Sequence, residues 1–340
     1  MLWSSLFTFP LSLSLLYLQL RPSFSSHLSV IDIMAQSTSN KTDFVQADKD
    51  GHFRRPPSQF RDTIPSATHP AEADRYVLFL NYGCPWAQRT NIVRVLKGLE
   101  DIVELVEVDH MDPGPTKGWC FSGKYGPPQN PYTGGKYLRE LYEKDDPSFT
   151  GRPTVPTLWD KTLKKIVNND SGEIMRMFYT AFDELLPSEL RESTKGAAGL
   201  LPSTLRTDIE AMNTWMYDTV NNGVYKAGFA TTQEIYETHV YPVFESLDRL
   251  EKILAESKGP YLFGEHITEA DIRLFTTAIR FDTSYYMLFK INLKMIRHDY
   301  PHLHRWLRVL YWDETERTRA AFKTTTKFDR VCFTVHDPRI

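Results

Sequence analysis

The sequence predicts an α/β domain followed by an all-helical domain, and three observations carry that prediction. An apolar run of strand length, YVLFLNY (76–82), leads into a helix-spaced segment and then a second apolar run, DIVELVEVDH (101–110), which together read as a βαβ unit with parallel strands. Two short strands and a helix after a long insertion complete a β-α-β, insertion, β-β-α order. From Leu201 onward every periodic segment is helical. With 340 residues, 41% hydrophobic and 24% charged, the chain has room for two ordinary domains and a core that needs no disulfide staples.

Residues 1–33 begin MLWSSLFTFPLSLSLLYLQLRP, apolar with a first charge at Arg21. The basic start of a secretory signal is missing, and Pro10 with its scattered serines makes a poor spanning helix. Met34 opens a second start, so 1–33 is read as an extension of a cytosolic protein, outside the fold. Residues 34–74 are rich in Ser, Thr, Asp, Pro and Arg without a period, an extended arm over the surface. The α/β domain spans 75–187. Its first helix, PWAQRTNIVRVLKGLE, places apolar residues at 92, 95, 96 and 99. The insertion 111–153 is dense in Gly, Pro and Tyr, with one helical piece near YLRELYEK; loops this long are functional or disordered. TVPTLWD and KKIVNN, within 154–169, are two strands joined by a tight turn, and SGEIMRMFYTAFDELL (171–186) is a helix. SELRESTKGAAGL (188–200) is the linker. The helical domain, 201–330, opens its third long helix with Thr268-Glu269-Ala270-Asp271, a Thr-x-x-Asp cap pattern. Residues 331–340 form the tail.

Charge excludes one class of partner. Lys+Arg number 40 and Asp+Glu 43, interspersed, for a net charge of −3, so no basic stripe exists to neutralise nucleic-acid phosphates. No membrane partner is expected. The three cysteines, Cys84, Cys120 and Cys332, show no C-x-x-C or Cys/His ligand spacing, so no disulfide framework, no zinc site and no other metal is expected. That usage suits a reducing, cytoplasmic compartment.

Cys84 lies where a buried strand ends and a helix begins, with Pro85 suited to the first helical position. A helix N-terminus favours the thiolate, although a random cysteine is more often a small buried hydrophobe. Ala87 stands where a C-x-x-C partner would be, so a mixed disulfide on Cys84 needs an external thiol to resolve it. Val155-Pro156 before a strand is of the kind commonly cis, an isomer that turns the Val155 backbone outward to pair with an extended peptide; a trans edge-strand proline is the plainer alternative. Asp170-Ser171 at a helix start is most simply a cap. The same geometry holds a carboxylate on Ser171 and the free N–H groups while Asp170 takes an ammonium. A γ-glutamyl group carries both charges on one carbon, so the constellation fits glutathione as co-substrate.

NYGCPWAQRT, GRPTVPTLWD, IVNNDSGEIMRMF, WMYDTVNNGVYKAGFATTQEIYE and FGEHITEADIRLFTTAIRFD resemble the Xi class of glutathione transferases, the glutathionyl-hydroquinone reductases, from about Asp50 to about Arg330. Omega transferases share the cysteine but not the Asn-Asn-Gly-Val-Tyr-Lys-Ala-Gly-Phe block. The resemblance implies a thioredoxin-like first domain and an all-α glutathione-transferase second domain. It also implies that Trp119, Arg152, Thr154 and Val155 contact glutathione, that Tyr225 exchanges a proton near the substrate oxygen, and that Tyr285 stabilises the thiolate. On composition alone these two are among 17 tyrosines, and aromatic residues at helical spacing are usually core. The implied reaction is attack of Cys84 on the sulfur of a glutathionylated hydroquinone, release of hydroquinone, and resolution of the mixed disulfide by a second glutathione.

The resemblance also implies a homodimer formed through the helical domain and a longer tail with another tyrosine. This chain ends KFDRVCFTVHDPRI with no tyrosine after Tyr311, so lower activity than a full-tailed form is expected. Two rivals use the same residues differently: an omega-like thioltransferase or dehydroascorbate reductase, and a non-catalytic module of the same fold.

Overall fold

The YVLFL run forms β1 (Tyr76–Leu80), buried along its whole length. A strand covered on both faces needs no polar alternation, which is why the run is continuous. After it α1 (Pro85–Leu96) begins with proline in its first turn. β2 (Val103–Glu107) pairs parallel to β1, Tyr76 opposite Val103, as the βαβ reading requires. The computed structural model describes residues 47–112 and 117–331. The extension 1–33, the first part of the arm, Cys332 and the tail beyond Val331 lie outside the described residues.

The insertion is more ordered than its composition suggests. It contains a short antiparallel hairpin, β3 (Met111–Asp112) with β4 (Gly118–Trp119), and the helix α2 (Arg139–Asp145). Its middle is wound around one buried carboxylate, Asp109, which accepts the N–H groups of Ser122, Lys124, Tyr125 and Gly126 at 2.8–3.2 Å. A loop organised by a single acceptor leaves no periodic trace in sequence.

β5 (Thr157–Asp160) and β6 (Lys165–Asn168) form the expected hairpin, and β5 lies antiparallel to β1, giving the sheet order β2-β1-β5-β6. α3 (Ser171–Thr180) stops short of the predicted Leu186. Asp183 turns inward, where it meets Lys97 Nζ at 3.1 Å and the N–H groups of Glu192 and Ser193 at 3.0 Å, and this polar demand ends the helix.

In the helical segment, α4 (Arg206–Met216) runs through a π turn, Tyr217–Asn221, into α5 (Gly223–Gly228). α6 (Gln233–Glu256) follows, then α7 (Glu269–Arg280), which continues through a second π turn, Phe281–Tyr285. α8 (Pro301–Trp312) and the short α9 (Phe328–Val331) close the described chain. The cap pattern before α7 is realised: Asp271 accepts the Thr268 N–H and hydroxyl at 2.9 Å each. It also accepts Leu262 N–H at 3.0 Å and Trp306 Nε1–H at 2.9 Å, which ties α7 to α8. α1 packs between α3 and α7 and joins the sheet-bearing segment to the helical one.

The arm does not merely drape over the surface. Asp62 N–H donates to Val167 O at 2.9 Å and Arg61 bridges Asn168, so the arm covers the outer edge of β6. Farther back, Phe53 is buried, and His52 meets His239 of α6 at 3.2 Å. Among the described residues no helix is long and apolar enough to cross a membrane.

Candidate active site

Cys84 occupies the cap position of α1 and is partly exposed. Its S–H donates to the Val155 carbonyl at 3.5 Å. The loop carrying it is fixed from two sides. Asn81 accepts the Gly83 N–H at 2.9 Å and donates to the Val108 and Asp109 carbonyls at 2.7 Å. From the end of α7, the buried Arg280 donates to the Tyr82 carbonyl at 2.8 Å, the Gly83 carbonyl at 3.2 Å, the Thr276 carbonyl at 2.8 Å and the Gln88 side-chain oxygen.

Burial pushes the Cys84 thiol up, while the N–H groups of Ala87 and Trp86 and the charges of Arg280 and Arg55 pull it down. The helix terminus therefore acts in the expected direction. Burial acts against it, and the net direction for the thiol is upward.

Val155-Pro156 is cis, as expected. Thr154 beside it is held by Tyr142, whose hydroxyl donates to the Thr154 carbonyl at 3.0 Å, and by Asn169 Nδ2, 3.3 Å from the Thr154 hydroxyl. Asp170 caps α3 through one oxygen, accepting the Gly172 and Glu173 N–H groups at 2.9 and 3.0 Å. Its other oxygen has no hydrogen-bond partner among the described residues, so capping leaves half the carboxylate available. Ser171, 9% exposed, opens the helix beside it. Trp119 is half-buried on β4. Arg152 has an exposed surface, donates to Met111 Sδ at 3.8 Å, and is pulled down by desolvation of its guanidinium and by the charge of Arg55.

Tyr225 and Tyr285 are 60 residues apart in sequence, yet their hydroxyls meet at 3.3 Å. Tyr225 sits on α5 just after the first π turn, and Tyr285 ends the second. Each π turn inserts a residue and rotates the next helical turn about the axis, a device common at functional sites. Burial pushes both phenols up, and a negative Cys84 adds to that push in each case, so both lie within electrostatic reach of the sulfur. Among the described residues neither hydroxyl bonds the sulfur directly; the partner of Tyr285 is Tyr225. Phe53, Trp86, Phe229 and Phe289 surround Tyr225 with ring centroids 5.4–6.4 Å away.

Three contributors were not legible in the sequence. Phe53 and Arg55 come from an arm without periodicity, and Arg280 sits on a helix face whose spacing reads as ordinary packing. The absence of a Cys/His ligand spacing also proved incomplete as a guide. The β3–β4 hairpin brings ligand atoms of His110, Asp112 and Cys120 within 4.8 Å of one another, with His110 3.0 Å from Asp112 and burial raising the Cys120 thiol to about 11.

Two family matches cover this architecture: the glutathione S-transferase N-terminal domain over residues 83–181 and the glutathione S-transferase C-terminal domain over 233–308. The chain is 48% identical over 298 residues to glutathione S-transferase omega-like 2 of Schizosaccharomyces pombe, covering 87% of this chain and 91% of that protein. It is 44% identical over 271 residues to the glutathionyl-hydroquinone reductase YqjG of Escherichia coli, covering 77% and 79%. The glutathione-bound structure of YqjG superposes with a TM-score of 0.69 at 42% identity, covering 80% of this chain and 86% of that one. The Xi glutathione transferase structure from Phanerochaete chrysosporium gives a TM-score of 0.76 at 46% identity, covering 84% and 88%. With such identities spread over both segments, the chain belongs to the glutathione S-transferase family, in its Xi class.

Proposed function

We propose that the protein is a glutathionyl-hydroquinone reductase with Cys84 as its nucleophile and glutathione as its co-substrate. The observation that carries the reading is the placement of the Cys84 sulfur at the start of α1, 3.5 Å from the Val155 carbonyl and within electrostatic reach of the Tyr225–Tyr285 pair. The tripeptide would lie with its cysteine facing Cys84, its backbone along Thr154 and Val155, and its γ-glutamyl group on Asp170 and Ser171. The uncapped oxygen of Asp170 takes the ammonium, and Ser171 with the first N–H groups of α3 takes the carboxylate. Trp119 and Arg152 flank the other end.

In the first step the Cys84 thiolate attacks the glutathionyl sulfur. A Cys84–sulfur bond forms, the sulfur–ring bond breaks, and its electron pair leaves with the ring, which takes a proton. Tyr225, paired with Tyr285, is the positioned acid, and such a group contributes about 10² to 10⁴ in rate. In the second step a glutathione thiolate attacks the mixed disulfide, releasing glutathione disulfide and the Cys84 thiolate. The sum is conjugate plus glutathione giving hydroquinone plus glutathione disulfide.

The test is mass spectrometry after mixing with a glutathionylated hydroquinone. A glutathione adduct on Cys84 with free hydroquinone is expected, and a Cys84→Ser protein that works as well as the parent overturns the reading. The omega-like names of the yeast relatives favour a second reading, thioltransferase or dehydroascorbate reductase activity at the same cysteine. Faster turnover of dehydroascorbate than of the conjugate would select it. The Xi resemblance also supports a homodimer, which sedimentation velocity would test, and the cysteine usage supports a cytoplasmic setting.

A further inference from the structure

We propose that Arg55 is an anion subsite at the aromatic pocket, so that the preferred hydroquinones carry a carboxylate on the ring or a short arm from it; this rests on the reductase reading above. The adjacent arginines of the RRPP stretch are used in opposite ways. Arg54 is neutralised by Asp48 at 2.5 Å and Asp50 at 2.7 Å. Arg55 has no carboxylate within ion-pair distance among the described residues. Instead its Nε–H donates to the side-chain oxygen of the buried Asn222 at 3.1 Å, and its guanidinium carbon stands 4.6 Å from the Trp86 ring centroid, 5.1 Å from Tyr225 and 5.4 Å from Phe53.

That arrangement orients the group without neutralising it. One edge of the guanidinium is committed to Asn222 and its carbon to three rings, while the terminal nitrogens have no hydrogen-bond partner among the described residues. A planar fork of donors fixed in this way matches a carboxylate in two-point contact, which a lysine ammonium cannot reproduce. The position is the substrate's: Trp86 follows Cys84 by two residues and Tyr225 is the proposed acid. The charge of Arg55 is felt at Cys84, Tyr225 and Arg152. Arg152 likewise lacks a carboxylate partner among the described residues, and the two cations repel. In the proposed complex Arg152 serves glutathione, which leaves Arg55 for a second negative charge that only the aromatic partner can bring. The rings accept a flat hydroquinone, and the cation beside them discriminates by charge.

The experiment compares kcat/KM for glutathionyl conjugates of unsubstituted hydroquinone and of carboxymethyl-hydroquinone, using the full chain, Arg55→Gln and Arg55→Lys. The parent protein should favour the carboxylate conjugate by about 10- to 100-fold, in line with one charge-assisted contact. Arg55→Gln should bring the ratio close to one, and Arg55→Lys should restore only part of it. Parallel loss on both conjugates in Arg55→Gln, or a parent with no preference, overturns the subsite. In parallel, tryptophan-fluorescence titration with the two free hydroquinones reads the subsite without turnover. If neither conjugate is processed, the reductase reading fails, while a carboxylate preference that vanishes in Arg55→Gln still supports the subsite and equal affinities overturn it.

Discussion

Arg280→Gln is the substitution that separates holding the Cys84 loop from tuning its thiol. The buried guanidinium donates to two loop carbonyls, Tyr82 and Gly83, to the Thr276 carbonyl in its own helix, and to Gln88 of α1. Glutamine is too short to replace it, so the two loop carbonyls lose a buried donor, at roughly 1–3 kcal/mol each. Removing a buried cation that no carboxylate neutralises among the described residues returns part of that cost, since burial already pulls Arg280 down. A net loss of about 2 kcal/mol corresponds to a fall of roughly 3 °C in Tm for a chain of this size. The second effect is electrostatic. The Arg280 charge pulls the Cys84 thiol down, so its loss moves the thiol further up and the thiolate is populated only at higher pH. The assay is the rate of Cys84 carbamidomethylation by iodoacetamide against pH, followed by mass spectrometry, beside a thermal melt. The rate should rise with pH in both proteins, with the variant's midpoint at higher pH. Arg280→Lys, which keeps charge but not the fork, should restore the midpoint more fully than the melting temperature. A variant midpoint at or below that of the parent refutes the electrostatic argument, and an unchanged Tm refutes the claim that the loop hangs on this side chain.

The same geometry sets two further outcomes. Tyr225→Phe keeps the ring among Phe53, Phe229 and Phe289 but removes the acid, so kcat for hydroquinone release should fall about 10²- to 10⁴-fold with KM changed little; a parent-like kcat removes Tyr225 from proton transfer. Asp170→Ala loses the cap of α3 and should cost about 1 kcal/mol of stability, whereas Asp170→Asn retains a capping oxygen and loses only the charge. In steady-state kinetics both should raise KM for glutathione about tenfold, the cost of one charged contact, and an Asn variant with unchanged KM would show that Asp170 is a cap and nothing more.

The readable parts of this protein are those where a segment reports on its own surroundings. Continuous burial made β1 an unbroken apolar run, helix spacing placed α1, α3, α4 and α6 to α8, and the Thr-x-x-Asp cap located the start of α7 at Glu269. Cys84 stood out because strand, thiol and proline are neighbours in sequence, and Asp170 because a cap is a local device. The remainder depends on which segments dock. Arg280 bonds Gly83 across 197 positions, Arg55 reaches Asn222 across 167, and the Tyr225–Tyr285 contact needs two π turns whose residues read as ordinary helix. The charge state of Cys84 belongs here too. The sequence places the helix end that favours the thiolate, but burial, which opposes it more strongly, is created only when α7 and the arm close around the loop. Periodicity records how much of a chain is buried; only the packed structure decides which polar groups are buried together.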